Sequence, residues 1–266
     1  MVPFSTTRSA DGLSIAYETL GMGTQALVFV HGWCCDRSHW HHQLDYFASH
    51  YRVVALDLIG HGDSDIERTE WSIGTFAQDV LAVIDALALE HVVLIGHSMG
   101  GYVIVEASRT LGDRLIGLVG ADTLWDVEIQ RTPDEINALL HGFVANLRSD
   151  FATAATPFVE SMFTPQSDPA LRREILADMT ARPPAVGSGA MQAIVLNDAN
   201  LCAGVRQLKA PLSLINSPAF RATHTEAAQR ANIHIDWMNE VGHFVMREDP
   251  ATFNALLAAA IRRMLA

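Results

Sequence analysis

Six short runs of the chain are almost wholly apolar, and they are separated mostly by longer stretches with helical periodicity. They read "ALVFVHG" (26–32), "YRVVALD" (51–57), "HVVLIGH" (91–97), "RLIGLVGAD" (114–122), "PLSLIN" (211–216) and "IHIDWMN" (233–239). Runs with no polar face to offer water fit strands of a parallel sheet covered on both sides by helices. Helices are predicted near 39–48, 74–88, 99–111, 223–231 and 250–265. In the last of these Asp249 can cap, Pro250 opens the first turn, and Arg262 and Arg263 lie where the helix dipole favours cations. Two further strands, near 3–8 and 13–20, are joined by the turn signal Asp11-Gly12. The expectation is an α/β fold built on a mostly parallel eight-stranded sheet with flanking helices.

One interval breaks the alternation. Residues 123–210 carry almost no strand pattern and several helical ones, near 133–149, 151–163, 168–182 and 187–197, with "ARPPAVGSG" (181–189) read as a loop among them. A structureless loop of that length inside a compact domain is improbable, so the stretch is predicted to be a helical cap inserted after the sixth strand. The core is then 1–122 with 211–266, and the cap is 123–210. Leaving the sheet at the C-terminal end of a strand places the cap where open α/β sheets bind ligands.

The strongest chemical signal is "VVLIGHSMGGYVIVEA" (92–107), a buried strand, then Gly96-His97-Ser98-Met99-Gly100, then a helix. A serine between two glycines at this spacing sits on a turn too tight for larger flanking side chains, so its hydroxyl projects above the sheet. The helix N-terminus and the free amide of Met99 favour a developing negative charge there. Serine needs a base to become a nucleophile. Of twelve histidines, His243 in "NEVGHFVMREDPATFN" falls between the last predicted strand and the last helix, at the same sheet edge as Ser98.

Composition excludes several other classes. Net charge is −12 and the pI is about 5.3, which opposes binding to nucleic acid or anionic membranes. No run approaches the roughly 20 apolar residues of a membrane span, and the start "MVPFSTTRSADG" lacks a signal-peptide pattern, so a cytoplasmic location is expected. Cys34, Cys35 and Cys202 have neither a disulfide framework nor a metal spacing. His39, His41 and His42 have no accompanying carboxylate or cysteine pattern and read as surface or packing residues. Neither a metal nor a cofactor is expected, and the only predicted partner is a small-molecule substrate.

The segments "LVFVHGW", "VVALDLIGHGDSD", "LIGHSMGGY" and "VGHFVMREDP" resemble, in order, the His-Gly loop, the D-x-x-G-H-G-x-S turn, the nucleophile elbow and the histidine loop of the α/β-hydrolase superfamily. The resemblance covers the chain outside the insertion, which is similar to that family's variable helical cap in place alone. It implies an oxyanion hole made by the backbone amides of Trp33 and Met99, and a structural role for Asp57. Members that are epoxide hydrolases or haloalkane dehalogenases use an aspartate nucleophile, so Ser98 points instead to acyl transfer to water.

In most such proteins the triad acid follows the strand that here is "PLSLIN", in a G-x-x-D pattern. Ser217 and Phe220 occupy those positions, so that loop has no acid where one is expected. Asp122, at the end of "RLIGLVGAD", is the leading candidate, since some superfamily members resemble an arrangement with the acid on that strand. Capping by Asp122 is its plain alternative. Asn216 or a water as a weaker orienter of the histidine, and Glu226 or Asp126 as the acid, remain open.

The insertion is rich in large apolar residues, some of which should line the pocket. Trp125 and Phe143 are predicted there, with Phe220 supplying apolar wall from the vacated acid position. The expected function is a serine hydrolase of a small to medium, largely apolar carboxylic ester or lactone. A C–C bond hydrolase of ring-cleavage products, and a hydrolase-like ligand-binding protein with little turnover, are the alternatives.

Overall fold

The computed structural model describes residues 4–124, 131–218 and 233–266. The predicted helix at 223–231 lies outside the described residues, as do Trp125, Asp126, Phe220 and Glu226.

Eight strands form one sheet: β1 (Ser5–Arg8), β2 (Ser14–Leu20), β3 (Ala26–Val30), β4 (Arg52–Leu56), β5 (Val92–His97), β6 (Leu115–Ala121), β7 (Leu212–Asn216) and β8 (Ile233–Trp237). Their order is β1-β2-β4-β3-β5-β6-β7-β8. The pairings of β1 with β2 and of β2 with β4 are antiparallel, and all the others are parallel. Every residue of β3, β5 and β7 is buried, which requires cover on both faces.

Helices α1 (His41–Phe47), α2 (Ile73–Ala86), α3 (Met99–Leu111) and, at the other end of the chain, Pro250–Leu265 supply that cover, with α2 packed on α3 and the Pro250 helix against α1. Local chemistry starts two of them. Ser72 and Thr75 form a reciprocal capping box at α2, and the Asp249 carboxylate accepts from the Thr252 N–H just after Pro250.

Between β6 and β7 lie α4 (Pro133–Leu139), a π turn (Leu140–Val144), α5 (Ala145–Ser149), α6 (Phe151–Glu160), α7 (Pro169–Thr180), α8 (Pro184–Val195) and α9 (Asp198–Gln207). Later come the short α10 (Val245–Glu248) and α11 (Pro250–Leu265).

One stretch differs from its sequence reading. "ARPPAVGSG" is not a loop beyond Pro183, because Pro184 opens α8 and the glycines lie inside it. Packing explains this. A Cβ on Gly187 would stand 2.1 Å from the Phe151 ring, and one on Gly189 would stand 2.5 Å from the Trp71 ring. Small residues let α8 approach both aromatics, and the burial outweighs glycine's intrinsic helix cost of about 1 kcal/mol each. The helix α9 has no counterpart in the sequence reading.

Candidate active site

The sheet order sets the site. Strand β5 lies between β3 and β6, so the loops leaving their C-terminal ends stand side by side: His31-Gly32-Trp33, then Ser98, then Asp122. The segment after β8 brings His243 to the same edge.

Ser98 has φ +53° and ψ −119°, a strained turn for a residue with a side chain. The flanking glycines make it possible. A Cβ on Gly96 would stand 2.3 Å from the Gly100 carbonyl oxygen, and one on Gly100 would stand 2.4 Å from that of Val30. The Ser98 N–H donates to Ala121 O (3.2 Å), while Ser98 O accepts from Gly101 N–H (2.9 Å) and the Thr123 hydroxyl (2.7 Å).

Asp122 is 1% exposed and also lies in the left-handed region, at φ +44°. Its N–H donates to Ile215 O (2.9 Å), and its Oδ1 accepts from Ser217 N–H (2.6 Å). Its Oδ2 accepts from His243 Nδ1 at 2.7 Å. A carboxylate can only accept, so Nδ1 carries the imidazole proton and Nε2 is left as the basic nitrogen. Asn216 does not orient the histidine through these contacts. Its amide is paired with the backbone of Thr123 instead.

The main chain around His243 is fixed on each side. Its N–H donates to Met162 O (2.8 Å) and its carbonyl accepts from His97 Nε2 (2.9 Å). The Glu248 carboxylate accepts from Gly242 N–H (3.0 Å), Phe244 N–H (3.2 Å) and the Ser167 hydroxyl (2.5 Å). Because a carbonyl only accepts, His97 is protonated at Nε2, and its buried Nδ1 has no partner among the described residues. Burial, reinforced by His243, holds the basicity of His97 well below the usual histidine range, so it stays neutral. His31 behaves alike: burial lowers its pKa to about 4, and its Nε2 accepts from Leu58 N–H (3.1 Å).

Among the described residues, the N–H groups of Trp33 and Met99 donate to no protein acceptor. Met99 opens α3, where such amides are intrinsically free. The Trp33 indole N–H is committed elsewhere, to Gly187 O on α8 (2.8 Å).

A cavity of about 350 Å³ joins these groups. Ser98, Met99, Asp122, His243 and Trp33 line it together with Tyr102, Phe158, Met162, Phe163, Met191, Ile194 and Ser217. A cleft of about 790 Å³ is larger, but it is lined by charged residues such as Asp36, Arg37 and Arg182 and touches none of the Ser98 group. The smaller space is where the chemistry converges. Phe143 does not line it. Its ring stands behind the wall, 5.1 Å from that of Phe158.

Asp57 is buried and accepts from the Arg37 guanidinium, Arg37 N–H and Asp63 N–H, so it is consumed in holding its turn. Asp236 is engaged by Arg263. Among the described residues no group of three or more His, Cys, Asp or Glu side chains is placed to hold a metal, and no helix is long and apolar enough to cross a membrane. The sequence reading missed Glu248 and Tyr102; His97, which the sharp turn is expected to direct away from the site, does not line the cavity and donates to the His243 carbonyl. For Glu248 the available signal is a carboxylate five residues after the loop histidine and just before an Asp-Pro helix start.

Residues 27–256 match the model of the Alpha/beta hydrolase family. The chain belongs to that family. It is 27% identical to the dihydrolipoyllysine-residue acetyltransferase component of the acetoin cleaving system of Cupriavidus necator, over 93% of this chain and 66% of that protein. It is 43% identical to a non-heme chloroperoxidase of Streptomyces lividans over 98 residues, 36% of either chain. These matches therefore span two thirds or less of the curated relatives' lengths. A thermophilic esterase from Thermogutta terrifontis superposes with a TM-score of 0.85 at 21% identity, covering 98% of this chain and 99% of that one, a likeness of fold.

Proposed function

We propose that this α/β hydrolase is a serine hydrolase that cleaves a small to medium, largely apolar carboxylic ester or lactone through an acyl-enzyme. The carrying observation is the bond of His243 Nδ1 to the buried Asp122 carboxylate at 2.7 Å, in a cavity that Ser98 also lines. With Nδ1 so committed, Nε2 takes the Ser98 proton as Oγ attacks the carbonyl carbon. The amides of Trp33 and Met99 hold the oxyanion, which is worth about 3–4 kcal/mol per donor in comparable sites. Collapse expels the alcohol, protonated by His243, and water repeats the sequence to release the acid.

Phe158, Met162, Phe163, Met191 and Ile194 wall the cavity with apolar surface, which suits an apolar acyl or alcohol group. All five come from the stretch between β6 and β7, so we assign 123–210 as the cap over a core of 1–122 and 211–266. Cys34 and Cys35 are free, buried thiols, in keeping with a reducing compartment such as the cytoplasm. A ligand-binding protein without turnover is disfavoured, since the carboxylate missing after β7 has a counterpart in Asp122.

Titration with a p-nitrophenyl ester tests the reading. It should give a burst of about one nitrophenolate per chain and an acyl adduct on Ser98 by mass spectrometry. Absence of both would remove the enzyme reading.

A further inference from the structure

The end of β7 carries no acid, yet it is built with care. We propose that Asn216 is a positioning residue that fixes the candidate acid Asp122 relative to Ser98, an inference that rests on reading Asp122 as the triad acid.

Asn216 is 1% exposed, and its side chain pairs with the main chain of Thr123 in both directions. Its Nδ2–H donates to Thr123 O at 3.0 Å, and its Oδ1 accepts from Thr123 N–H at 3.1 Å. Only one setting of the amide satisfies both partners, so its orientation is determined. The side chain acts as a substitute peptide. Strands β6 and β7 pair up to Ala121 and Ile215, Asp122 N–H continues with Ile215 O, and the Asn216 amide then serves the next residue.

This extension straddles the strain. Asp122 sits at φ +44°, a conformation that costs a non-glycine residue on the order of 1–3 kcal/mol and persists only where its surroundings enforce it. Pairing on both sides of Asp122 enforces it. Thr123 is also the link to the nucleophile, because its hydroxyl donates to Ser98 O (2.7 Å) and its side chain fills the space that a Cβ on Gly101 would need at 2.4 Å. One clamped residue thus sets the spacing between acid and elbow. A hydrophobic side chain at 216 would leave the Thr123 N–H and carbonyl without this partner. An aspartate would keep the acceptor but set an oxygen against the Thr123 carbonyl.

The test is a double-mutant cycle with Asn216→Ala and Asn216→Asp, each made in the wild type and in Asp122→Asn. The measured quantities are kcat and KM for p-nitrophenyl ester hydrolysis, corrected for active sites by burst amplitude, with thermal melts for folding. Each single replacement at 216 should lower kcat about 10- to 100-fold and leave KM within about threefold, as expected for misplacement of a catalytic group by an ångström or less. In Asp122→Asn the same replacement should cost less than about threefold, because the group it positions is already disabled. A kcat within threefold of wild type, or an equal loss in both backgrounds, overturns the proposal. If Asn216→Ala fails to fold, Asn216→Asp and Asn216→Ser carry the cycle. The two readings fail separately. A near-normal Asp122→Asn sinks the acid assignment, whereas a crippled Asp122→Asn with unaffected 216 variants sinks only the role of Asn216.

Discussion

Replacing Asp122 by Asn exchanges one oxygen for an NH₂ group and should stop the reaction by moving one proton. The carboxylate receives two donors on separate oxygens, Ser217 N–H at 2.6 Å and His243 Nδ1 at 2.7 Å, at a site 1% exposed. Asparagine has a single acceptor oxygen. The Ser217 amide is main chain and cannot reverse, so the asparagine oxygen faces it, since the opposite setting would bring two donors together. The new NH₂ then points at Nδ1, and His243 answers by holding its proton on Nε2. A ring in that tautomer cannot take the Ser98 proton. In well-studied triads this change lowers kcat about 10⁴-fold, equivalent to roughly 5.5 kcal/mol of transition-state stabilisation. We expect a fall of about 10³- to 10⁴-fold, with KM changed only a few-fold. Steady-state and stopped-flow hydrolysis of p-nitrophenyl butyrate measure both, with nitrophenolate release reporting acylation. A kcat within tenfold of wild type would refute the tautomer argument and the choice of acid.

Other replacements probe the scaffold and the wall. Gly100→Ala would put a Cβ 2.4 Å from Val30 O and 2.7 Å from His31 O, two rigid backbone atoms, so it should lower the unfolding free energy measured in urea by about 2 kcal/mol or more and abolish the burst. Gly142→Ala meets nothing within 4 Å inside a helical stretch and should raise stability by about 0.5–1 kcal/mol in the same assay. Burial pushes the His39 pKa down to about 3. Below about pH 6.5 the unfolded chain takes a proton there that the folded chain refuses, so stability falls with pH until about 3. His39→Leu should therefore flatten the pH dependence of urea stability across that window by up to about 1.4 kcal/mol per pH unit, and an unchanged slope would show that His39 titrates normally. Met191→Trp should fill part of the 350 Å³ cavity and reduce kcat/KM for octanoate esters well before acetate esters, whereas a uniform loss would place Met191 away from the acyl path.

What the sequence discloses depends on how local its physical cause is. "LIGHSMGGY" is legible because the demands on Gly96 and Gly100 come from the turn itself and from the neighbouring strand, and any chain that makes this turn must meet them. The glycines of α8 mislead for the opposite reason. Their helix follows from contacts with Phe151 and Trp71, which no local pattern reveals, so the same residue type signals a turn in one place and close packing in the other. Phe143 shows a related limit. Its apolarity implies burial, but the π turn at Leu140–Val144 alters the helical phase, and the ring packs on Phe158 behind the cavity. Asp122 is legible only through the resemblance to the α/β hydrolases, which says where an acid usually stands and that it can stand on the preceding strand; with Phe220 in the usual place, the aspartate ending "RLIGLVGAD" becomes the leading candidate. Asn216 is not reachable that way. Its partner lies 93 residues away, and an asparagine that mimics a peptide leaves no periodicity or motif behind. The loop with no acid at the usual position still contributes the Ser217 N–H to one Asp122 oxygen, while the residue before it ties down Thr123. On this geometry, an acid on β6 requires more than an aspartate at position 122. It also requires the end of β7 to supply donors and acceptors that hold a left-handed residue in place, so the two strand ends should tolerate substitution only together.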